Sequence, residues 1–379
     1  MRRKREWLIN LAVMAASVVL FLAFCEFVVF RFVLLASDVP ANDDVNDVVR
    51  YAPNQRGVWR VRDEIAAPYA INGQGWNSAS GDYSRERTPG LSRIAVVGDS
   101  FVEGLQVAPD RNFAEFIGRA RHEPTQVYRF GIAGAPMSQY LHMIDREVAG
   151  YRPDCVVVLL VHNDFDESFR FMPGRYTSSF RKLKVEGDRV VGEIPPQPWR
   201  SGPSEWLRRT ATARFLFYRW QVRPEILLHP RAILDSLLPR PKQAPPDVEP
   251  RMQANIDVHA VLAQEAEIKA TMGYLTARIA ERAKDMGAKL VFAMDGHRSA
   301  IYLGIGASPA LELNRLAAEA AAKRGVPFVD LQPAFQADWE ANHRRFDFDS
   351  DNHWNEHGHE VAAKAIGSAL DALGCAAPP

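Results

Sequence analysis

A doubly wound α/β fold with a parallel sheet is what this sequence predicts, on three observations. Residues 155–161 are an unbroken apolar run, the pattern of a strand buried on both faces. Residues 93–98 are a short β-rich run, Ile-Ala-Val-Val at its centre, that stops at Gly98-Asp99-Ser100. Further runs at 289–294 and 326–331 alternate with helix-like stretches, clearest at 256–286 and 308–324. Such alternation gives parallel neighbours joined by right-handed crossovers. Residues 127–132 add an early strand that ends in a Gly-Ile-Ala-Gly turn. A last helix starts after Asn355, a good N-cap, and Val361, Ala362, Ala365, Ile366, Ala369, Leu370 and Leu373 make one apolar stripe along it.

Ahead of the sheet, residues 2–5 are Arg-Arg-Lys-Arg, and no charge appears from Trp7 to Cys25. As a helix that run would rise about 28 Å, close to the roughly 30 Å of bilayer hydrocarbon. Apolar sequence resumes after Glu26 and again after Arg31, on to Ala36. The stretch exceeds the roughly 7–15 apolar residues of a signal peptide, so residues 1–36 are expected to be an uncleaved anchor. Its basic tip is expected in the cytoplasm and the rest of the chain outside, with Glu26 and Arg31 at the outer interface. Bulky Phe24 before Cys25 argues against a lipoprotein. Residues 37–90, rich in Pro, Asn, Asp, Gly and Arg, read as an irregular stalk and lead-in, and 91–375 as the α/β domain. Within it, residues 172–250 break the alternation with prolines, a basic excess and the aromatics Trp199, Trp206, Phe215, Phe217, Tyr218 and Trp220. This insertion has three readings: a substrate-covering lid, a segment packed on the body, or a helix near 204–220 resting on the membrane surface.

Lys+Arg and Asp+Glu are 46 each, so the chain is formally neutral, which argues against a nucleic-acid binder. The three cysteines (Cys25, Cys155, Cys375) are too few and too scattered to predict a disulfide framework or a zinc site. Cys155, inside the central strand, reads as a small buried apolar residue. No zinc spacing, phosphate-cradling Gly-Lys-Ser loop or dinucleotide fingerprint occurs, so neither cofactor nor metal is expected.

Ser100 directly follows a strand, at the carboxyl edge of the sheet. A serine needs a base to take its proton as it attacks. The far end of the chain offers one in Asp351-Asn352-His353-Trp354-Asn355, where positions i and i+2 of a loop let Asp351 orient His353. Acyl transfer also needs donors aimed at an oxyanion, and the Ser100 N–H, the Gly134 N–H and the Asn163 side-chain amide all lie at carboxyl ends of separate strands. Asp295-Gly296-His297 follows the fourth strand and reads as a substrate contact or a structural turn, and His162 as core.

Gly98-Asp99-Ser100, the Gly-Ile-Ala-Gly turn, Asn163-Asp164 and Asp351-x-His353 resemble the four ordered blocks of the SGNH (GDSL-type) hydrolase family, over about 93–171 and 288–373. The ending Asp-Asn-His-Trp-Asn-x-x-Gly-His and the lead-in Ile71-Asn72-Gly73 are similar to membrane-anchored bacterial members. The resemblance implies a flavodoxin-like α/β/α sandwich with a five-stranded parallel sheet. It implies Ser100 as nucleophile, His353 as base oriented by Asp351, and Ser100, Gly134 and Asn163 as the oxyanion hole. Two departures stand out. The family's usual Asp position, three before the His, is Ser350, leaving Asp351 with Asp349 in reserve. The Asn that often begins the second block is Arg129, which deprives that turn of a side-chain support. The expected function is an extracytoplasmic serine esterase or deacetylase acting on acylated carbohydrate or lipid esters. A polysaccharide O-acetyltransferase and a non-catalytic envelope module are the alternatives.

Overall fold

The computed structural model describes residues 2–172, 177–222, 252–254, 256–306 and 308–375. The chain divides into two compact units: Met1–Val39 with Gly57–Ala66 and Ser201–Pro241, and Pro40–Arg56 with Ala67–Arg200 and Lys242–Pro379.

The larger unit holds a five-stranded parallel sheet: β1 Ser92–Gly98, β2 Thr125–Gly131, β3 Cys155–Leu160, β4 Lys289–Met294 and β5 Phe328–Asp330. Their order across the sheet is 2-1-3-4-5, the flavodoxin-like doubly wound arrangement expected from the sequence. Register is continuous, with Gly98 beside Gly131, Val97 beside Val158 and Leu160 beside Met294. β1 and β3 are wholly buried, which is why Ile94–Val97 and Cys155–Leu160 are apolar without alternation. On one face the helices Phe113–Ala120 and Glu356–Ala372 bring Ile117, Ile366 and Leu370 into a core with Val96, Val157, Leu159 and Val291. Met137–Arg146 and Glu265–Asp285 lie on the other face. Asn355 caps the last helix, accepting from the Gly358 N–H at 3.0 Å. The winding reverses between β1 and β3, and open α/β sheets bind ligands in the crevice at such a reversal.

Two expectations need correction. Cys155 is buried, but it is not a lone apolar thiol: it forms a disulfide with Cys375, 220 residues away. The start of the central strand and the end of the last helix meet in space, a closeness that sequence separation hides. On the chain-entropy account, closing a loop of that length contributes about 5 kcal/mol. Residues 42–70 of the expected irregular stalk form hairpins instead, whereas 71–91 hold only the bridge between Ile71 and Asn77. Asn42–Val45 pairs with Val48–Tyr51, and Arg56–Val61 with Ile65–Ala70. The first hairpin turns on Asn46 and Asp47, at φ 60° and 59°, the left-handed pair that a two-residue type I′ turn demands.

The described part of the insertion falls into two pieces. The hairpin Lys182–Glu186/Arg189–Ile194 belongs to the larger unit, where Lys182 Nζ donates to the Glu167 carbonyl at 2.5 Å and Ser138 Oγ to the Arg181 carbonyl at 2.6 Å. Residues 201–222 belong to the smaller unit; 173–176 and 223–251 lie outside the described residues.

In the smaller unit, residues Arg3–Val33 form a helical stretch long and apolar enough to cross a membrane, its most apolar 18-residue window having a mean hydropathy of 2.5. Glu26, expected at an interface, accepts hydrogen bonds from the Ala211 and Thr212 N–H groups and the Thr212 hydroxyl, at 2.7–2.9 Å. Phe30 stacks on Phe215 at 4.6 Å, and both pack with Ala36 and Ala211.

Candidate active site

Ser100 opens the short helix Ser100–Glu103 immediately after β1. The turn is tight because glycine permits it. A Cβ at Gly131, at the end of the neighbouring β2, would stand 2.4 Å from the Glu103 nitrogen and 2.8 Å from the Asp99 carbonyl oxygen. One at Gly98 would stand 2.5 Å from Val102 Cγ2. Asp99 caps the helix by accepting from the Phe101 N–H at 3.0 Å, and its other carboxylate oxygen lies 3.3 Å from Ser100 Oγ. Burial pushes the Asp99 carboxyl up to about 6.

His353 arrives from the opposite end of the chain, with Nε2 2.7 Å from Ser100 Oγ. Its Nδ1 is 2.5 Å from Asp351 Oδ1, which also accepts from the His353 backbone N–H at 2.9 Å. The Phe101 ring packs beside the imidazole, centroids 4.9 Å apart. Burial acts to lower the His353 pKa, but the charge and hydrogen bond of Asp351, with Asp99 and Glu103 beyond, raise it above its ordinary value. Burial acts to raise Asp351, yet His353 holds it below the usual carboxylate range. Asp349 is exposed and pairs with Arg345 at 3.2 Å, so Asp351 is the carboxylate beside the imidazole.

Gly134, at φ 73° and exposed, follows β2, and Asn163 follows β3, both on the same edge as Ser100. Each is braced by a carboxyl group that the sequence did not advertise. Glu103 Oε1 accepts from the Ala133 N–H at 3.1 Å, next to Gly134, and from the Tyr51 hydroxyl at 2.5 Å. Burial pushes the Glu103 carboxyl up to about 7. Glu167 accepts one amide hydrogen of Asn163 at 3.1 Å. Asp164, with burial pushing its carboxyl well up, accepts from the Val161 N–H and the Tyr140 hydroxyl, both at 2.8 Å, and so closes the turn that carries Asn163. Arg129, where an Asn was expected, donates to the Val102, Glu103 and Pro109 carbonyls at 3.2–3.3 Å beneath the serine helix. The Gly134 turn therefore does have a side-chain support, from Glu103 instead of the strand residue.

The histidine loop is held by a polar network. Trp354 Nε1 donates to Asp295 Oδ1 at 3.0 Å, Arg298 pairs with Asp295, and Arg298 Nη2 donates to the Asn352 carbonyl at 2.6 Å. Asp295 is thus a strut of the loop, as the structural-turn reading had it. His162 is buried, and burial lowers its pKa to about 4. No group of metal-ligating side chains occurs among the described residues.

Serine hydroxyl, imidazole and carboxylate in this sequence of hydrogen bonds have the geometry of a proton relay that activates an alcohol. Residues 257–378 match the family model described as SGNH hydrolase-like domain, acetyltransferase AlgX. No curated protein matches the chain. Among solved structures, the chain is similar to the lipase/acylhydrolase from Enterococcus faecalis (15% identity, covering 76% of this chain and 98% of that one, TM-score 0.39). It is also similar to a variant of an acetyl-xylooligosaccharide esterase from Geobacillus stearmophilus (13%, 75% and 94%, TM-score 0.37). A member of the lipolytic G-D-S-L family from Veillonella parvula is a third (10%, 74% and 98%, TM-score 0.37). The family-model match thus places an SGNH hydrolase-like domain at residues 257–378, within the sheet whose strand order and motif residues are described above.

Proposed function

We propose that the chain is a serine acyl-transfer enzyme, an esterase or deacetylase cleaving acyl esters, O-acetyl esters first among them, on carbohydrate or cell-envelope substrates. The observation that carries this reading is the continuous line from Asp351 through His353 to Ser100, at 2.5 and 2.7 Å. His353 Nε2 takes the Ser100 proton as Oγ bonds to the acyl carbon. The oxyanion receives hydrogen bonds from the Ser100 and Gly134 N–H groups and the free hydrogen of the Asn163 amide. Collapse expels the alkoxide, which leaves with the proton from His353, and an acyl-Ser100 ester remains. His353 then deprotonates a second acceptor, which attacks that ester and releases Ser100.

If the second acceptor is water the reaction is hydrolysis; if it is a sugar hydroxyl, the chain is an O-acetyltransferase. The match of 257–378 to an acetyltransferase domain model favours this second reading. An extracytoplasmic setting is supported by the Cys155–Cys375 bond, since disulfides persist in oxidising compartments, and by the basic tip before the apolar helix.

The test incubates one sample of full-length protein with a fluorophosphonate probe, and a separate, unprobed sample with an acetylated oligosaccharide and an unacetylated acceptor sugar. Labelling and acetyl release that Ser100→Ala abolishes support the enzyme; an unlabelled, well-folded protein leaves a non-catalytic envelope module. Acetate in solution without acetylated acceptor establishes hydrolysis over transfer.

A further inference from the structure

The apolar helix is not the smaller unit's only apolar surface. The helix Pro203–Arg208 presents Trp206 at 74% and Leu207 at 57% exposure. Two adjacent large apolar side chains turned outward on a six-residue helix are costly in water and call for a partner.

What that partner is follows from where the segment is fastened. The uncharged run from Trp7 to Cys25 already provides about the thickness of the hydrocarbon layer as a helix. Residues 26–33 then lie where the helix leaves it. Those are the residues that hold the segment: Glu26 binds the Ala211 and Thr212 N–H groups, and Phe30 stacks on Phe215. Beyond the exit, Arg214 Nη1 reaches Asp38 at 2.8 Å, and Arg219 donates to the Leu34 and Leu35 carbonyls. Residues 203–220 are therefore tied to the helix at headgroup depth, at several points along its exit. Trp206 has an apolar body and one N–H, the side chain favoured at that depth, and Arg209 beside it is exposed. Cationic side chains there attract anionic lipid headgroups.

We propose that residues 203–220 form a second membrane contact, with the Trp206–Leu207 edge inserted into the headgroup layer of an anionic bilayer beside the spanning helix. This rests on the reading of Arg3–Val33 as a span. The segment steadies the orientation of the exit, which one helix alone leaves free to rotate and tilt.

The experiment uses the full chain, Cys25→Ser, in vesicles of phosphatidylethanolamine and phosphatidylglycerol. An environment-sensitive fluorophore is attached at Leu207→Cys or, separately, at Leu20→Cys, and lipids with a nitroxide near the headgroup or deep in the acyl chain are added. The proposal expects the 207 label to lose about half its fluorescence to the shallow nitroxide, as an interfacial helix would, and the 20 label to be quenched by the deep one. A quenched 20 label with an unquenched 207 label overturns the second contact while leaving the span intact. No quenching at either position overturns the span reading, and the proposal with it. If Leu207→Cys fails to fold, Trp206→Cys carries the same label one residue away.

Discussion

The two ends of the candidate relay are built by different means. The serine end is fixed by backbone: β1 and β2 bring Gly98 and Gly131 so close to the helix Ser100–Glu103 that a methyl group at either glycine has no room. The histidine end sits on a loop fixed by side chains, with Arg298 between Asp295, Asp347 and the Asn352 carbonyl and Asn355 Nδ2 donating to the Arg345 and Asp347 carbonyls at 3.0 and 2.9 Å. A nucleophile needs a fixed position, which packing provides. A base that must accept and return a proton needs a fixed orientation and a tuned charge, and these come from buried polar groups. The difference predicts that the serine end fails by steric strain and the histidine end by loss of electrostatic support.

The sharpest break is at the base. Asp351→Asn, with Asp349→Asn as its companion, is expected to lower kcat by about 10⁴-fold, through loss of the carboxylate that orients and charges His353. Asp349→Asn should leave kcat within about twofold, since exposed charges contribute little. The pH–rate profile adds a sign. Asp351 raises the His353 pKa, and catalysis needs the neutral imidazole, so activity rises with pH through a value above that of ordinary histidine. Residual activity of Asp351→Asn should titrate at lower pH. Equal losses in the two variants would reverse the assignment.

Next comes the network behind the loop. Arg298→Ala leaves Asp295 buried without its cation and Asp347 with Arg345 alone, at a cost of about 3–5 kcal/mol, read as a fall in urea midpoint together with a lower kcat. Gly131→Ala should cost about 1–3 kcal/mol as an overpacked contact, with kcat falling because the Ser100 helix must shift. A Gly131→Ala protein with unchanged midpoint and kcat would show that the serine end is not held by close packing.

The last effect, present only towards high pH, is expected at Glu103. Its buried carboxyl has a pKa of about 7 in the folded chain against 4.5 ordinarily, so between those values the folded state holds a proton that the unfolded state has released. Stability therefore falls as pH rises through that window. Gln at 103 can still accept from Tyr51 and Ala133 but does not ionise, so Glu103→Gln should be more stable than the parent at pH 8 and indistinguishable at pH 4. Thermal melts at the two pH values decide it.

The sequence made the serine end legible and the supports of the histidine end obscure, for the same physical reason. Glycine at a strand end, an apolar run without alternation and an Asn N-cap are local requirements that leave local marks, which is why β1, β3, β4 and the last helix stand where they were expected. Asp351 and His353 were readable because they are two residues apart. Arg298 and Glu103 were not, because each partner they serve is brought in by tertiary packing: Asn352 to Arg298, Ala133 and Tyr51 to Glu103. The Cys155–Cys375 bond was invisible for the same reason. The hairpin Asn42–Tyr51 is a different case: its Val-Asn-Asp-Val turn is a local signal, masked by a surrounding composition that resembles a linker.

That covalent tie also has a consequence for how the protein withstands proteolysis. Cys155 lies between Ser100 and His353 in the sequence, and Cys375 lies beyond both. A protease that severs the main chain once, anywhere from 156 to 352, leaves the nucleophile on one fragment and the base on the other, with one cysteine on each. The fragments remain a single molecule until a reductant parts them, so a nicked preparation migrates intact on a non-reducing gel and as two species after thiol treatment.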